Sequence, residues 1–176
     1  QMACYAMALA NKGMLYQPHT VSKLVDRVSD STRTLPFGTK KEIQLSDDTW
    51  YYVREGMRRV VEEPGGTALA ARVKGIVSAG KTGTAQNTHG EDHAWYVGFA
   101  PFEEPKIAVA VLVENAGFGG AKAAPIAGMC IERYIYGRLI RNDGKKPVVA
   151  VADTSRRKKN LIHATLIPLR PHVTTD

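Results

Sequence analysis

The residues whose types are best suited to catalysis or ligand binding lie in one short segment, Lys81-Thr82-Gly83-Thr84. A lysine ammonium is a compact positive charge with three hydrogen-bond donors, and a threonine hydroxyl next to it can donate to a carboxylate. Glycine has no side chain, so a substrate backbone can lie against a strand that contains it. The amide N–H of Thr84 can then point at a developing oxyanion. We therefore predict that an edge strand with this segment supplies a positive charge, hydroxyls and an oxyanion donor for acyl transfer.

The same region also fits a phosphate-binding loop. Residues 75–82 match the pattern G-x-x-x-x-G-K-T in full, and such a loop cradles phosphates when it follows an apolar strand and opens a helix. The preceding residues, 71–74, do not form an apolar strand pattern, and residues 83–90 are typical of a strand followed by a turn. A nucleotide-binding module would require a helix after Thr82, whereas the local pattern favours a strand there.

The segments around this strand resemble those of the class B penicillin-binding proteins. Residues 1–19 are similar to the helix and turn that follow the Thr-Pro-Leu-Gln segment of that family, and residues 65–68 are similar to its Gly-Thr-Ala element. Three later segments resemble the next two strands and the entry to the last helix: 92–101, 107–115 and 119–126. Their order and spacing are most similar to the penicillin-binding protein 2 type, the peptidoglycan transpeptidases of cell elongation. The resemblance covers about residues 1–140.

This resemblance implies a fold and a set of residue roles. The fold would be α/β, an antiparallel sheet with helices on both faces, of the penicillin-binding transpeptidase and serine β-lactamase type, and incomplete in this chain. The activity would be peptidoglycan D,D-transpeptidation, in which stem peptides are cross-linked through a serine acyl-enzyme that penicillin also forms. Lys81 would be catalytic, binding substrate and assisting proton transfer. Thr82, Gly83 and Thr84 would bind the terminal carboxylate, keep the strand edge open and complete the oxyanion hole.

Two further motifs of that family, Ser-x-x-Lys and Ser-x-Asn, are missing in usable form. No Ser-x-Asn occurs, and the Ser-x-x-Lys motif needs a helix that places its serine and lysine on one face. Ser78 to Lys81 reads as a strand, where residues i and i+3 point to opposite faces, and Ser155 to Lys158 lies in a polar basic stretch. We therefore expect this chain to be a C-terminal portion of a transpeptidase domain, with the nucleophilic serine and a membrane anchor before Gln1.

The resemblance also implies a location and partners. The parent protein would work on the periplasmic side of the bacterial cytoplasmic membrane, without a cofactor. Its partners would be peptidoglycan stem peptides, β-lactam antibiotics and other proteins of cell elongation. Two other functions remain open at this point: a β-lactamase-like hydrolase or β-lactam sensor of the same fold, and a non-catalytic docking module of the cell-wall machinery.

The charge of the chain is unevenly distributed. The net charge is +7, but residues 141–176 hold eight Lys or Arg and three Asp or Glu, whereas residues 1–140 hold sixteen and fourteen. Because the body is nearly neutral, nucleic-acid binding is not indicated. The basic run at 156–159 is typical of a solvated tail, although such a run can also touch anionic lipid or polymer. We therefore divide the chain into the domain portion 1–140 and a basic tail 141–176.

Apolar spacing predicts helices at both ends and in the middle of the domain portion. Good helix formers fill residues 1–11, and Ser46 is a suitable N-cap for the second helix. The predicted buried face of this second helix consists of Trp50, Val53, Met57, Val60 and Val61. Pro125 suits the first turn of the last helix. The predicted buried face of that helix consists of Ile126, Met129, Cys130, Tyr134 and Leu139.

Three strands are predicted between the second and the last helix. They cover residues 73–86, 94–100 and 107–114. The second and third are apolar at almost every position, so we expect helices to cover both faces of their sheet.

Residue types that form disulfides or bind metals are sparse. Cys4 and Cys130 lie among apolar residues of predicted helices, which favours buried free thiols, although a disulfide remains open. His89 and His93 have a spacing that suits a pair of metal ligands only on a helix, and Gly90 between them disfavours a helix. We therefore predict a solvated loop and no metal site.

Overall fold

The computed structural model describes residues 1–18, 21, 23–35, 39–141 and 162–169. The basic run at 156–159 and the Ser155 match to Ser-x-x-Lys lie outside the described residues. The helices are α1 (Met2–Ala10), α2 (Asp47–Glu62) and α3 (Gly119–Tyr136). The strands are β1 (Met14–Tyr16), β2 (Lys23–Val25), β3 (Thr32–Thr34), β4 (Thr39–Glu42), β5 (Ala79–Ala85), β6 (His93–Ala100), β7 (Ile107–Val113) and β8 (Ile162–Pro168).

The main sheet has four antiparallel strands in the order β5-β6-β7-β8. Strand β5 pairs with β6 from Ala79 opposite Phe99 to Ala85 opposite His93. Strand β6 in turn pairs with β7 along nearly its whole length. Two separate two-stranded ladders, β1–β4 and β2–β3, complete the strands of the described residues. The second and third predicted strands are therefore confirmed, and the first is confirmed for residues 79–85. The prediction is wrong for residues 73–78, which form a turn with an isolated bridge between Val73 and Ile76.

Helices cover both faces of this sheet, as the apolar patterns of β6 and β7 predict. Alternate side chains of a strand point to opposite faces, and in β7 both sets are buried. On one face, Val109 and Val111 pack with Ile131 of α3. On the other face, Ala108 and Phe99 pack with α1 and with Trp50 of α2. The predicted α/β architecture, an antiparallel sheet with helices on both faces, is confirmed.

Helix α2 begins as predicted but buries a different stripe. The hydroxyl of Ser46 accepts a hydrogen bond from the Thr49 amide at 3.2 Å, which caps the helix. Trp50, Met57 and Val61 are buried, but Val53 is 41% exposed and Arg54 is buried instead. The prediction for Val53 is therefore wrong.

Tertiary contacts explain why a charged residue is buried in α2. The Arg54 guanidinium donates to the carbonyl oxygens of Leu9 and Ala10 at the end of α1 and to that of Phe102 at 2.6 Å. It also lies over the rings of Phe99 and Phe102, at 4.7 and 5.2 Å from their centroids. A buried cation is tolerated because three of its N–H groups donate to carbonyl oxygens and its plane lies against two aromatic rings. Hydropathy spacing carries no information about such partners.

Helix α3 begins at Gly119, so Pro125 lies inside the helix and not in its first turn. Its buried face also differs from the prediction, and consists of Gly119, Ala123, Ala124, Ala127, Gly128, Ile131 and Glu132. A side chain at Gly119 or Gly128 would collide with backbone atoms of neighbouring segments. The helix therefore packs through its small residues, because only they allow the backbones to approach so closely. The face predicted to be buried instead lines a groove of about 590 Å³ next to Leu166.

The segment after α3 is bonded back onto the helix. Glu132, which is 1% exposed, accepts hydrogen bonds from the amides of Ile140 and Arg141 and from the Arg141 guanidinium, at 2.7 to 2.9 Å. Arg141 also donates to the carbonyl of Arg72 at 3.1 Å. These bonds hold the residues at the predicted boundary of the domain portion in a fixed position.

Residues 162–168, within the segment interpreted as a basic tail, form the fourth strand of the sheet. Every residue of β8 pairs with β7, from Ile107 opposite Pro168 to Val113 opposite Ile162. The residue pattern of this segment does not predict a strand, and the division into 1–140 and 141–176 stays a prediction. Within the described part of the chain, no helix is long and apolar enough to cross a membrane.

Candidate active site

The segment Lys81–Thr84 lies on β5, which is an edge strand of the main sheet. Antiparallel partners lie on the same face, so Lys81 and Gly83 share a face with Val97 and Trp95. Thr82 lies on the opposite face, opposite Tyr96. The predicted site residues are therefore consecutive on one strand but divided between its two faces.

Lys81 lies on the face that α1 covers. It is exposed and lines an open cleft of about 360 Å³, together with Met2 at the start of α1 and with Trp95 and Val97 of β6. Its ammonium donates a hydrogen bond to the carbonyl oxygen of Thr82 at 2.8 Å. The rest of the cleft is mostly apolar and open to solvent. Because an ammonium has three donors, Lys81 can therefore offer hydrogen bonds and a positive charge to an anionic ligand in the cleft.

Thr82 faces α3 and contacts the loop after α2. Its hydroxyl lies 2.8 Å from the hydroxyl of Thr67, and either oxygen can donate. Gly120, in the first turn of α3, lies against the same pair, because a Cβ there would meet Thr67 and lie 3.9 Å from the Thr82 methyl group. Thr67 lies in the segment that resembles the Gly-Thr-Ala element of the family, and it is not among the predicted site residues.

The outer edge of β5 leaves backbone groups open. The Thr82 carbonyl accepts from the Lys81 ammonium and so points away from β6, and backbone direction repeats every two residues. The N–H of Thr84 therefore also points away from β6, toward the open edge. Thr84 is exposed, and Gly83 contributes no side chain that would cover the strand. This arrangement can present a backbone N–H, a hydroxyl and an ammonium to one ligand.

Close contacts with β6 and with the start of α3 hold this strand. A Cβ on Gly80 would collide with the ring and hydroxyl of Tyr96, and one on Gly119 would collide with the backbones of Gly83 and Trp95. The Tyr96 hydroxyl is completely buried and has no hydrogen-bond partner among the described residues, and burial raises the pKa of this group. Gly80 is thus required for packing, a role that local sequence patterns do not reveal.

Ser78 does not face the cleft. It is completely buried, and its amide and hydroxyl donate to the Glu62 carboxylate at 2.9 and 3.3 Å. Strand β5 continues through Thr82 to Ala85. No helix follows the phosphate-loop pattern, so the nucleotide-binding alternative is wrong.

The loop after β5 is bonded to the loop before α3. The side-chain amide of Asn87 donates to that of Asn115 at 2.6 Å, and His93 accepts from the Asn115 amide N–H at 3.0 Å. His89 is exposed. Its ring is hydrogen-bonded to the Thr88 hydroxyl, and its backbone N–H donates to the Asn87 side chain, so both bonds stay within this loop. In the described ranges, no three His, Cys, Asp or Glu side chains come together as a metal site.

The two cysteines lie on opposite faces of the sheet. Cys4 packs against the α1-side core and Cys130 against the α3-side core, and both thiols are free and half-buried. Burial raises the pKa of Cys130. The free-thiol interpretation is confirmed, and the disulfide alternative is wrong.

Residues 1–132 match the penicillin binding protein transpeptidase domain. The chain belongs to this transpeptidase domain family. The match includes α1, the Lys-Thr-Gly strand, the two strands that follow and most of α3. The family resemblance identified from the sequence is therefore confirmed.

Individual members of the family show the same similarity. Peptidoglycan D,D-transpeptidase MrdA of Haemophilus influenzae is 32% identical over 159 residues, covering 79% of this chain and 24% of that protein. The ceftriaxone acyl-enzyme complex of penicillin-binding protein A from M. tuberculosis matches with a TM-score of 0.66 and 34% identity, over 76% of this chain and 31% of that one. Penicillin-binding protein 2 from Helicobacter pylori, solved in complex with MreC, matches with a TM-score of 0.54 and 27% identity, over 76% of this chain and 24% of that one. The chain spans about a quarter of the length of the curated relatives it matches.

Proposed function

We propose that this chain forms the Lys-Thr-Gly side of a peptidoglycan D,D-transpeptidase. The complete site would cross-link stem peptides through a serine acyl-enzyme, and β-lactams would acylate the same serine. That serine, with the rest of Ser-x-x-Lys and Ser-x-Asn, would come from residues outside these 176. The domain portion 1–140 would then be the C-terminal portion of the transpeptidase domain, with 141–176 following it.

The observation that carries this proposal is the edge position of β5. An open strand edge can bind an extended peptide by its backbone groups. The Lys81 ammonium and the Thr82 and Thr84 hydroxyls add a charge and donors suited to a terminal carboxylate. The outward N–H of Thr84 adds a donor for the oxyanion that forms when a serine attacks the peptide carbonyl.

Each predicted site residue has a distinct part in this proposal. Lys81 is catalytic, because its ammonium binds the substrate and assists proton transfer when the serine attacks. Thr82 and Thr84 bind the substrate carboxylate, and Gly83 keeps the strand edge accessible. No step requires a cofactor or a metal.

The location and partners follow from the substrate. Peptidoglycan lies outside the bacterial cytoplasmic membrane, so the site would work on its periplasmic side, with a membrane anchor elsewhere in the protein. Stem peptides and β-lactams would be its ligands. The similarity to a relative solved with MreC supports other cell-elongation proteins as partners.

Acylation by a fluorescent penicillin tests the proposal directly. The protein would be a polypeptide in which these residues follow a segment with Ser-x-x-Lys and Ser-x-Asn. We expect a single serine in that segment to be labelled, and Lys81→Ala to slow labelling by about 100-fold or more, because one preorganised charged donor contributes about that much to acyl transfer. Lys106→Ala, an exposed lysine outside the cleft, is the matched control and should label normally.

Three results would change this assignment. Labelling of Ser78 would place the nucleophile within this chain and contradict the proposed division of the site. Normal labelling of the Lys81→Ala variant would remove Lys81 from the site. Rapid hydrolysis of the acyl-enzyme, without transfer to an amino acceptor, would favour the β-lactamase-like alternative.

A further inference from the structure

The hydroxyl pair of Thr67 and Thr82 joins the Lys-Thr-Gly strand to a loop that is fifteen residues earlier in the chain. Thr82 is half-buried at the strand, and Thr67 is exposed beside it. Their oxygens are 2.8 Å apart, a normal distance for a hydrogen bond between two hydroxyls. Thr67 is therefore within direct reach of a residue proposed to bind the substrate carboxylate.

The backbone holds Thr67 in place from both sides. The amide of Ala68 donates to the Val60 carbonyl at 3.0 Å, at the end of α2. Gly66 lies so close to this helix end that a Cβ would collide with the carbonyls of Val60 and Arg59. The Thr67 carbonyl lies against Gly120 of α3. Thr67 is thus positioned by two helices and by the strand, which limits the directions that its hydroxyl can take.

The chemistry of the pair gives Thr67 a specific task. Each hydroxyl carries one proton and can also accept, so only one of the two can donate within the pair. A carboxylate ligand accepts hydrogen bonds but cannot donate. When Thr67 donates to Thr82, the proton of Thr82 is free to donate to the ligand, and hydrogen bonds in such a chain strengthen one another. Without the Thr67 hydroxyl, the Thr82 hydroxyl has no such partner and no fixed direction.

We propose that Thr67 is a positioning residue that acts through Thr82 to bind the carboxylate of the substrate or β-lactam. This inference rests on the proposed function of the Lys-Thr-Gly strand. Thr67 itself touches neither the ligand nor the reacting atoms; it orients the proton that Thr82 donates. Its contribution should appear in the affinity for carboxylate-bearing ligands before acylation, because the carboxylate is bound equally in the ground state and the transition state.

The test compares acylation kinetics of Thr67→Val, Thr67→Ser and the unchanged protein, in the polypeptide that includes the nucleophilic serine. Saturation kinetics with benzylpenicillin separate the dissociation constant of the first complex from the limiting acylation rate. We expect Thr67→Val to raise that constant about three- to tenfold, the size expected for one hydrogen bond, with the limiting rate unchanged. Thr67→Ser keeps the hydroxyl and should behave as the unchanged protein. Thr88→Val, which removes an exposed hydroxyl that bonds only to its neighbour His89 among its described hydrogen bonds, is the control.

A double-mutant cycle shows whether Thr67 acts through Thr82. In a Thr82→Val background the further change Thr67→Val should have no effect on the dissociation constant. An unchanged dissociation constant in the Thr67→Val single variant, or an equal loss in both backgrounds, would overturn the inference while leaving the transpeptidase assignment intact. Failure of the unchanged protein to acylate at all would instead overturn the proposed function, and this inference with it.

Discussion

The two edges of the main sheet are built in opposite ways. At the β5 edge, residues from outside the sheet hold the strand: the Glu62 carboxylate accepts from Ser78, the Thr67 hydroxyl bonds to Thr82, and the backbone of Gly119 packs over Gly83. At the β8 edge, backbone pairing with β7 runs the full length of the strand, as the pairing of β5 with β6 also does. Most β8 side chains are nevertheless exposed, including Leu166 at 41%, and the buried anchor is Leu169 just after the strand.

This difference teaches how an edge strand can be both rigid and open. A strand that another strand covers cannot present its outer backbone groups to a ligand, whereas an unsupported edge is mobile and prone to unwanted pairing. Strand β5 avoids both outcomes, because contacts at Ser78 and Thr82 fix it while the outer N–H of Thr84 stays open. Strand β8 has backbone pairing but little side-chain burial, so its contribution to stability should be small.

The largest expected effect comes from Gly80, where β5 touches the next strand. Gly80→Ala places a Cβ against the ring and hydroxyl of Tyr96. We expect a loss of about 3 kcal/mol in the free energy of unfolding, at the upper end for overpacking a rigid interior. Denaturant unfolding of the variant measures it. A loss below about 0.5 kcal/mol would mean that β5 is not held tightly against β6.

Tyr96→Phe is the matched control for this prediction. It removes the buried hydroxyl that has no partner in the described part of the chain, so the single change should be neutral or stabilising. Combined with Gly80→Ala it should recover part of the lost stability, because the hydroxyl is the atom nearest to the added Cβ. If the effects of the two substitutions on the free energy of unfolding are simply additive, the strain does not arise between the added Cβ and the Tyr96 hydroxyl.

An intermediate effect is expected from Glu62, the carboxylate that holds the start of β5. Glu62→Ala leaves the buried amide and hydroxyl of Ser78 without an acceptor and removes an ion pair with Arg72. We expect a loss of about 2 kcal/mol, the usual cost of an unsatisfied buried polar group. Hydrogen exchange at the Ser78 amide should become faster.

The neighbouring residue provides the control. Glu63→Ala removes a more exposed carboxylate that pairs with Arg58 and Arg59, and it should cost less than about 1 kcal/mol. Exchange at Ser78 should not change in this variant. Equal acceleration of exchange in both variants would show that the end of α2, and not the Glu62 carboxylate, protects the strand.

The smallest effect is expected at the other edge of the sheet. Leu166→Ala on β8 should cost less than about 1 kcal/mol, because this side chain is largely exposed. Its register partner on β7, Val109, is completely buried, and Val109→Ala should cost about 2 kcal/mol. Thermal unfolding of the two variants compares them. A cost at Leu166 as large as that at Val109 would contradict the view that β8 is held mainly by its backbone.

Local patterns predict the secondary structure around the site well. The Ser46 cap, the strands β5 to β7 and the helices on both sheet faces agree with the structure, because capping and apolar periodicity act over a few residues. Predictions fail where a distant contact overrides the pattern. Arg54 is buried because it donates to carbonyls of α1 and Phe102. Helix α3 buries its small residues because Gly119 meets backbone atoms of the sheet and Gly128 meets the backbone of Ala71.

The same division applies to the site. Lys81, Thr82, Gly83 and Thr84 stand out because their residue types and order suggest a carboxylate site on a strand. Their supporting residues do not stand out. Glu62 and Thr67 are sixteen and fifteen residues away from their partners, and no local periodicity relates them.

The sequence by itself determined the family, the antiparallel strands and the candidate site residues, since these depend on residue type, order and short-range spacing. Only the tertiary structure decided which side chains hold the β5 edge in place, and that residues 162–168 form the strand at the opposite edge. Those outcomes depend on contacts between segments far apart in the chain, where the geometry of packing selects the partners.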